Sequence, residues 1–362
     1  MGTLVHDNVQ RYYGSLVHVD RKTSAASVQS SRSIPPSAFN ALQQIHPHVC
    51  KRYTGCGLVV PEKLQGCKIL DLGSGSGRDC YILSKLVGRT GHVIGVDMTP
   101  ELILASRKYI RYHQEKFGYE KPNTIFVQGY MERLDEIGIK KESLDILVSN
   151  CALCLCPDKR AVLKEAFRVL KDGGEFYLSD IYSSVAVPET LRHDAVLWGE
   201  GMSGALYWRD LISLVKEVGF STPYLVTANR IVVHNSELQR KANGISYVSA
   251  TYRLFKLPSN RIRRSAVVVY KGTVPDHPDH LNFDALHSFE TDVEVTVDAE
   301  MASVLRSCRF SNDFSIQDTD TPVPRQHCTS HCHLNPFLLA DRFLKKDVPK
   351  TCEERRPLNS II

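Results

Sequence analysis

The sequence lacks the marks of a membrane or secreted protein. No uninterrupted apolar run approaches the roughly 20 residues that a helix needs to cross a bilayer. Residues 1–7 have neither the basic start nor the apolar core of a signal peptide. Gly2 follows Met1, but His6 stands where a myristoylation signal needs Ser or Thr. A cytoplasmic protein with no membrane partner is expected. A strong excess of one charge is also missing. The 45 basic and 40 acidic side chains leave +5 over 362 residues, which gives little support to nucleic-acid binding. There are no internal repeats, and with 43% hydrophobic and 23% charged residues the composition is that of a globular chain.

Cysteine, by contrast, is plentiful: 11 residues, in a chain too long to need disulfide staples. In a reducing compartment that count points to thiol chemistry or soft-metal binding. Against it stands the ordinary use of cysteine as a small buried apolar residue.

The length suggests two domains, at roughly 150 residues each. Residues 1–66 read as an N-terminal helical segment with a substrate-site loop: a short helix opens over 9–14, a Ser-rich loop covers 24–33, and apolar residues over 37–53 have helical spacing. Residues 67–256 alternate. Strands are expected at 69–72, 93–97, 124–128, 144–149 and 175–179, with helices at 79–86, 100–113 and 161–170, the last closed by Asp172-Gly173-Gly174. A helix over 209–218 and strands over 224–227 and 248–254 complete the domain. Such alternation predicts a parallel sheet covered on both faces. Residues 256–265 look like a linker, and 257–317 like a small α+β C-terminal domain with strands at 266–270 and 293–297 and a helix at 299–307. Residues 318–362, rich in Pro, Thr, Asp and His, are expected to be a flexible tail.

The first strand runs into Asp71-Leu72-Gly73-Ser74-Gly75-Ser76-Gly77. A Gly-rich turn at the carboxyl end of a parallel strand is where open α/β sheets bind ligands. Glycines let the backbone approach closely, and the next helix presents free N–H groups. The third glycine of a dinucleotide loop is missing, since Arg78 or Cys80 stands in its place. The pattern D-x-G-x-G-x-G resembles motif I of the class I methyltransferases, whose loop cradles the methionine part of S-adenosylmethionine; an unliganded turn is the alternative. The resemblance implies a Rossmann-like doubly wound sheet, with cofactor contacts from Asp71, Gly73, Gly75 and Gly77.

Asp97 ends the second strand, where an acid accepts from both ribose hydroxyls, and Met98 beside it packs on adenine. Gly129-Tyr130-Met131-Glu132 resembles the family's adenine-side segment. Glu132 would meet the amino group and Met131 the ring face, with plain core packing the alternative for Met131. Ser149-Asn150-Cys151 ends the fourth strand, which in methyltransferases faces the reactive sulfonium. The Asn-Pro-Pro-Tyr tetrad of base-amino methyltransferases is missing; Asn150-Cys151-Ala152-Leu153 stands there instead. That argues against a nucleic-acid substrate, and a cysteine offers a soft ligand.

Residues 56–62, 69–81 and 148–151 resemble the arsenite methyltransferases, as do Trp198-Gly199-Glu200, Tyr207-Trp208, 247–255, Cys308-Arg309-Phe310 and Asn335-Pro336-Phe337. The likeness spans nearly the whole chain, and the Tyr-Trp and Ser-Ala-Thr-Tyr-Arg-Leu-Phe segments are its specific parts. The resemblance implies a trivalent arsenical substrate bound by cysteine sulfur, whose lone pair takes a methyl from S-adenosylmethionine without a general base, in a dry and aligned pocket. It also implies a thiol reductant, thioredoxin or glutathione. A monomer is expected.

Two of the family's four cysteines are absent. Cys56 and Cys151 remain. The N-terminal one is missing from Thr23-Ser24-Ala25-Ala26-Ser27, and the one after Trp-Gly-Glu is Gly201. Cys154 and Cys156 compensate, giving a thiol site with Cys56 and Cys151, or else they only pack in the core. Cys80 reads as a helix residue packed on the sheet, or as a relay partner of an arsenic-binding cysteine; Cys67 also matches a family position. The cluster over 327–333, with its Cys and His, is either a metal site or solvated tail. Three functions stay open: methylation of inorganic arsenite; methylation of a methylated arsenical or other soft nucleophile only; and non-catalytic cofactor or arsenic binding. Gly201→Cys is expected to raise activity on inorganic arsenite.

Overall fold

The computed structural model describes residues 2–16, 26–28, 34–242, 244–320 and 331–344. The chain opens with α1 (Gly2–Leu16), β1 (Ala26–Val28), α2 (Pro36–Leu42) and α3 (Pro47–Lys51). The alternating region follows: β2 (Lys68–Leu72), α4 (Arg78–Val87), β3 (His92–Asp97), α5 (Pro100–Arg107), α6 (Ile110–Phe117), β4 (Thr124–Gln128), β5 (Leu144–Asn150), α7 (Lys159–Val169) and β6 (Leu170–Ser183). Next come α8 (Glu189–Arg192), α9 (Ala195–Gly199), β7 (Leu206–Tyr207), α10 (Trp208–Val218), β8 (Tyr224–Val233), α11 (Ser236–Lys241) and β9 (Tyr247–Phe255). The C-terminal part holds β10 (Ala266–Tyr270), β11 (His280–Asn282), β12 (Ser288–Glu290), β13 (Glu294–Val297), α12 (Ala299–Ser307), β14 (Phe314–Asp318) and α13 (Pro336–Phe343). No helix among the described residues is long and apolar enough to cross a membrane.

A nine-stranded sheet has the order β1-β8-β9-β6-β5-β2-β3-β4, with β7 beside β6. From β4 to β6 its strands are parallel; β9, β8 and β1 join antiparallel. This is the Rossmann-like doubly wound sheet. Ile69 to Leu72 of β2 are wholly buried, as strands covered on both faces must be. On one face α7 buries Val162, Leu163, Ala166 and Val169, at helical spacing. Chain direction reverses its lateral walk between β2 and β5, which opens a crevice at their carboxyl ends.

The C-terminal part is a three-stranded sheet, β13-β10-β14, covered by α12. Its own core includes Val268, Tyr270, Phe283, Phe289, Leu305 and Phe310. It is tied to the rest by Arg253, which is fully buried. Its guanidinium lies 2.5 Å from Glu175 and 3.4 Å from Glu62, and donates to Phe283 O at 3.0 Å.

Several local expectations change. The helix expected over 100–113 is two, because the chain turns at Lys108–Tyr109 and seats the Tyr109 ring 4.3 Å from His46. Asp172-Gly173-Gly174 does not close a helix but lies inside β6. There Gly173 N donates to Lys256 O at 2.7 Å, and a Cβ at Gly173 would run into Ser307 O. Part of the Ser-rich stretch is β1, paired with β8. The flexible-tail expectation fails for 331–344. Phe337, Leu339 and Ala340 of α13 are buried, Tyr252 Oη donates to Leu334 O at 2.9 Å, and Arg230 grips Asp341 at 2.7 and 3.0 Å. An apolar face overrides a polar composition there. Residues 321–330 and 345–362 lie outside the described residues.

Candidate active site

Two adjoining clefts open at the carboxyl ends of the parallel strands and share Tyr13, Thr54, Gly73, Gly75, Leu102 and Asn150. Asp97, Met98, Met131 and Glu132 line one, and Asp71, Ser74, Arg78 and Asp79 the other. The structure therefore brings the expected cofactor residues together, except Gly77. That residue lines neither cleft. It begins α4 at φ 85°, and a Cβ there would lie 2.6 Å from the Phe126 ring, so its task is close packing of helix on sheet.

The loop is held by the acid that faces it. Asp97 accepts from Gly75 N at 2.9 Å and from Thr99 N at 2.8 Å. Burial pushes its carboxyl up, and these two N–H groups hold it back. Asp71 is pushed up to about 7 by burial and by the charge of Asp79, while the Cys80 thiol donates to it at 3.1 Å. Cys80 is thus spent on packing and on Asp71, as a buried helix residue. Ser74 Oγ is buried with no hydrogen-bond partner. A Cβ at Gly75 would meet nothing within 4 Å. An orphaned hydroxyl, Arg78 and a carboxyl at the floor, with open space over the loop, suit the amino-acid end of S-adenosylmethionine. Apolar Met98, Met131 and Leu102 between Asp97 and Glu132 suit its ribosyl-purine end.

Helix α1 covers that second end, which its short helical signal in the sequence did not announce. Glu132 Oε1 accepts from His6 Nε2 at 2.8 Å and from the Cys156 thiol at 2.9 Å. Burial opposes its ionisation, but these bonds outweigh burial and hold its carboxyl below the usual range. Gln10 donates to Met98 O at 2.8 Å, and Tyr12 donates to Glu200 at 2.6 Å. One helix therefore touches both the adenine side of the cleft and the loop that ends at Gly201.

Asn150 joins the two halves of the site. Its Nδ2 lies 2.8 Å from Asp79 Oδ2, 2.8 Å from Tyr53 Oη and 3.0 Å from Gly57 O, and its Oδ1 accepts from Cys56 N at 3.1 Å. The Arg78 guanidinium lies 3.1 Å over the Tyr53 ring, donates to Gly57 O and pairs with Asp79. Asn150 lines the clefts, but its hydrogen bonds pin the 53–57 loop over the Gly-rich turn. Tyr53 and Arg78 were missed in the sequence, though Tyr53 stands in the same short segment as Cys56.

That loop carries Cys56 to Cys151, and the two form a disulfide across 95 residues with Cα atoms 6.1 Å apart. Two free thiols were expected there; as a disulfide the pair ligates nothing until it is reduced. Cys151 has φ 56°, uncommon for a residue with a side chain, and its N–H donates to Ser179 O at 2.9 Å. The other two cysteines of the loop part company. Cys154 is 2% exposed, its backbone N–H donates to Asp180 Oδ2 at 3.1 Å, and its thiol lies 3.7 Å from Cys151 O. Burial, then the Asp180 charge, push that thiol well above its ordinary range. Cys156 faces the cofactor cleft and Glu132 instead; burial and that carboxylate push its thiol up too. Cys67 is half-buried among the residues around Ile69.

Gly201 has φ 77°, and a Cβ there would lie 2.9 Å from Cys154 Sγ and 2.9 Å from Ile181 Cδ1. The expected gain from Gly201→Cys alone therefore does not fit the structure, because the place is taken and the backbone is left-handed. Of the ligand-rich stretch over 327–333, residues 327–330 lie outside the described residues. Among the described ones no group of three His, Cys, Asp or Glu is placed to hold a metal ion.

Comparison with known proteins fits this geometry. A methyltransferase domain is matched over residues 63–219, and an arsenite methyltransferase C-terminal domain over 263–356. The arsenite methyltransferase of Rattus norvegicus is 49% identical over 93% of this chain and 91% of its own length. That of Homo sapiens is 46% identical over 93% and 92%. In structure, an arsenic(III) S-adenosylmethionine methyltransferase from Chlamydomonas reinhardtii aligns with TM-score 0.75 at 39% identity, covering 80% of this chain and 98% of that one.

Proposed function

This chain belongs to the arsenite methyltransferase family and is an S-adenosylmethionine-dependent methyltransferase, and we propose that it methylates trivalent arsenic held by the sulfurs of Cys56 and Cys151. The observation that carries this reading is the meeting of those two sulfurs at the end of β5, where Cys151 also lines the cofactor cleft. When bound, S-adenosylmethionine supplies an electrophilic methyl group on a sulfonium, to which the lone pair of trivalent arsenic is the nucleophile. The residues of this chain do the rest. Asp71, Ser74 and Arg78 hold the amino-acid end, and Asp97, Met98, Met131 and Glu132 the nucleoside end. Asn150 fixes the Cys56 loop relative to both. Ala152, Leu155 and Leu197 keep water from the thiols. No general base is required, since the nucleophile carries no proton.

The disulfide sets an entry condition. Two thiol groups, from one dithiol of the thioredoxin class or two molecules of the glutathione class, open it to two cysteine thiols and leave as the reductant's own disulfide. A second reading rests on Gly201. A site with only two thiols takes monomethylated trivalent arsenic in preference to arsenite. Methyl transfer from labelled S-adenosylmethionine, in excess thiol, with either arsenical, tests the proposal. Methylated products are expected. Cofactor binding with neither arsenical turned over would replace arsenic by another soft nucleophile, and absence of cofactor binding would remove the enzyme reading.

A further inference from the structure

The gap at residue 201 and the extra cysteine at 154 are one feature. Gly201 packs against Cys154, whose sulfur lies 2.9 Å from the place a Cβ on residue 201 would take. The surrounding loop is shaped to this arrangement. A Cβ at Gly204 would run into Cys154 O, and one at Gly199 would lie 3.0 Å from the Tyr12 ring. The turn over Leu153–Leu155 holds Cys154 from beneath, through its N–H to Asp180. Cys154 also shares an apolar cluster with Cys56 and Cys151, walled by Ile181, Leu197 and Met202, whereas Cys156 belongs to the cofactor side. Cys154 thus belongs to the cluster against which Cys56 and Cys151 pack, with its sulfur 3.7 Å from Cys151 O, and Cys156 does not.

We propose that Cys154 is the third arsenic ligand of this protein, taking the part that a cysteine at position 201 would otherwise play, so that the reduced site accepts inorganic arsenite. The proposal rests on the arsenic reading above and sets its substrate range. The binding step balances without charge: As(OH)3 and three cysteine thiols give an arsenic tris-thiolate and three waters. Each As–O bond lost is replaced by As–S, and each thiol proton leaves on a departing hydroxyl. A buried thiol that resists ionisation is suited to this exchange, because no free thiolate has to be stored in an apolar cluster. It also stays neutral and inert while the disulfide is closed. Monomethylated trivalent arsenic, with two exchangeable oxygens, needs Cys56 and Cys151 only.

The test uses the full chain, reduced and freed of reductant, titrated with arsenite and separately with monomethylated trivalent arsenic. Binding is read calorimetrically, and thiol protection by alkylation after brief denaturation, followed by mass spectrometry. Arsenite is expected to protect Cys56, Cys151 and Cys154 and to leave Cys156 open. Cys154→Ser, which keeps the volume, should weaken arsenite binding by about tenfold or more and leave binding of the methylated arsenical within about twofold. Gly201→Cys alone should bind arsenite no better. Gly201→Cys combined with Cys154→Ala, which removes the colliding sulfur, should recover arsenite binding lost in Cys154→Ala. A merely structural Cys154 would not show that rescue. Arsenite binding to Cys154→Ser as to the wild type, or protection of Cys156 in place of Cys154, would overturn the proposal. In those cases the methylated arsenical would still bind and turn over; loss of binding for both arsenicals in the wild type would sink the arsenic reading itself.

Discussion

The two sides of the Asn150–Cys151 step are built by different means. On the cofactor side each polar group stands at or just past the end of a parallel strand, and the ladder sets their spacing: Asp71 lies opposite Gly95 and Val148, and Asp97 opposite Gln128. On the thiol side the groups come from three loops, around Cys56, Cys154 and Gly201, joined by a disulfide, one asparagine and close packing. Backbone register changes little when a side chain is replaced. Side-chain contacts change completely. A substitution on the cofactor side thus leaves the strand ladder in place, whereas one on the thiol side, at Gly201 or Cys154, changes which groups meet.

The comparison can be broken first at its thiol pole. Cys151→Ser should abolish methylation of either arsenical while S-adenosylmethionine still binds; wild-type turnover in this variant would end the thiol-site argument. Asn150→Ala should injure both sides, because it strips partners from Asp79, Tyr53 and Cys56 N. About 2–3 kcal/mol of stability is expected to go, read by urea denaturation, together with slower reoxidation of the Cys56–Cys151 pair. An effect on cofactor binding alone would mean that the Cys56 loop is held by other contacts. Asp97→Ala should weaken the cofactor by about 10- to 100-fold and leave arsenite titration of the reduced thiols unchanged; a matching loss of arsenite binding would show the two sides to be coupled.

The last effect concerns pH. The carboxyl of Asp71 has an ordinary value of 3.8 and is raised to about 7 in the fold, so it binds a proton more tightly folded than unfolded. Its contribution to stability is complete below pH ~4 and is lost as pH rises to about 7. Asp71→Asn should flatten the stability profile across that window, measured as the denaturation midpoint against pH. An unchanged slope would assign the pH dependence to other buried acids.

What was legible in the sequence was local. The strands over 124–128 and 266–270 stand where their apolar runs put them, and the Gly-rich turn declared a ligand loop from seven consecutive residues. Illegible were contacts that need two distant segments. Nothing around Cys154 indicates that it abuts Gly201, because their approach depends on where β5 and α9 bring the two loops. Nothing in the polar composition near His333 announces α13, whose apolar face is identified only by the sheet it covers. Gly77 misled because a glycine kept for packing reads like one kept for a ligand.

By itself the sequence determined the doubly wound sheet, the cofactor loop and the family, since strand periodicity, turn chemistry and short specific segments are written in consecutive residues. Only the tertiary structure decided which sulfurs meet, which carboxylate each thiol faces, and that Cys154 of one loop abuts Gly201 of another. Those outcomes depend on close clearances between segments about 25 to 100 residues apart, set by strand order and packing.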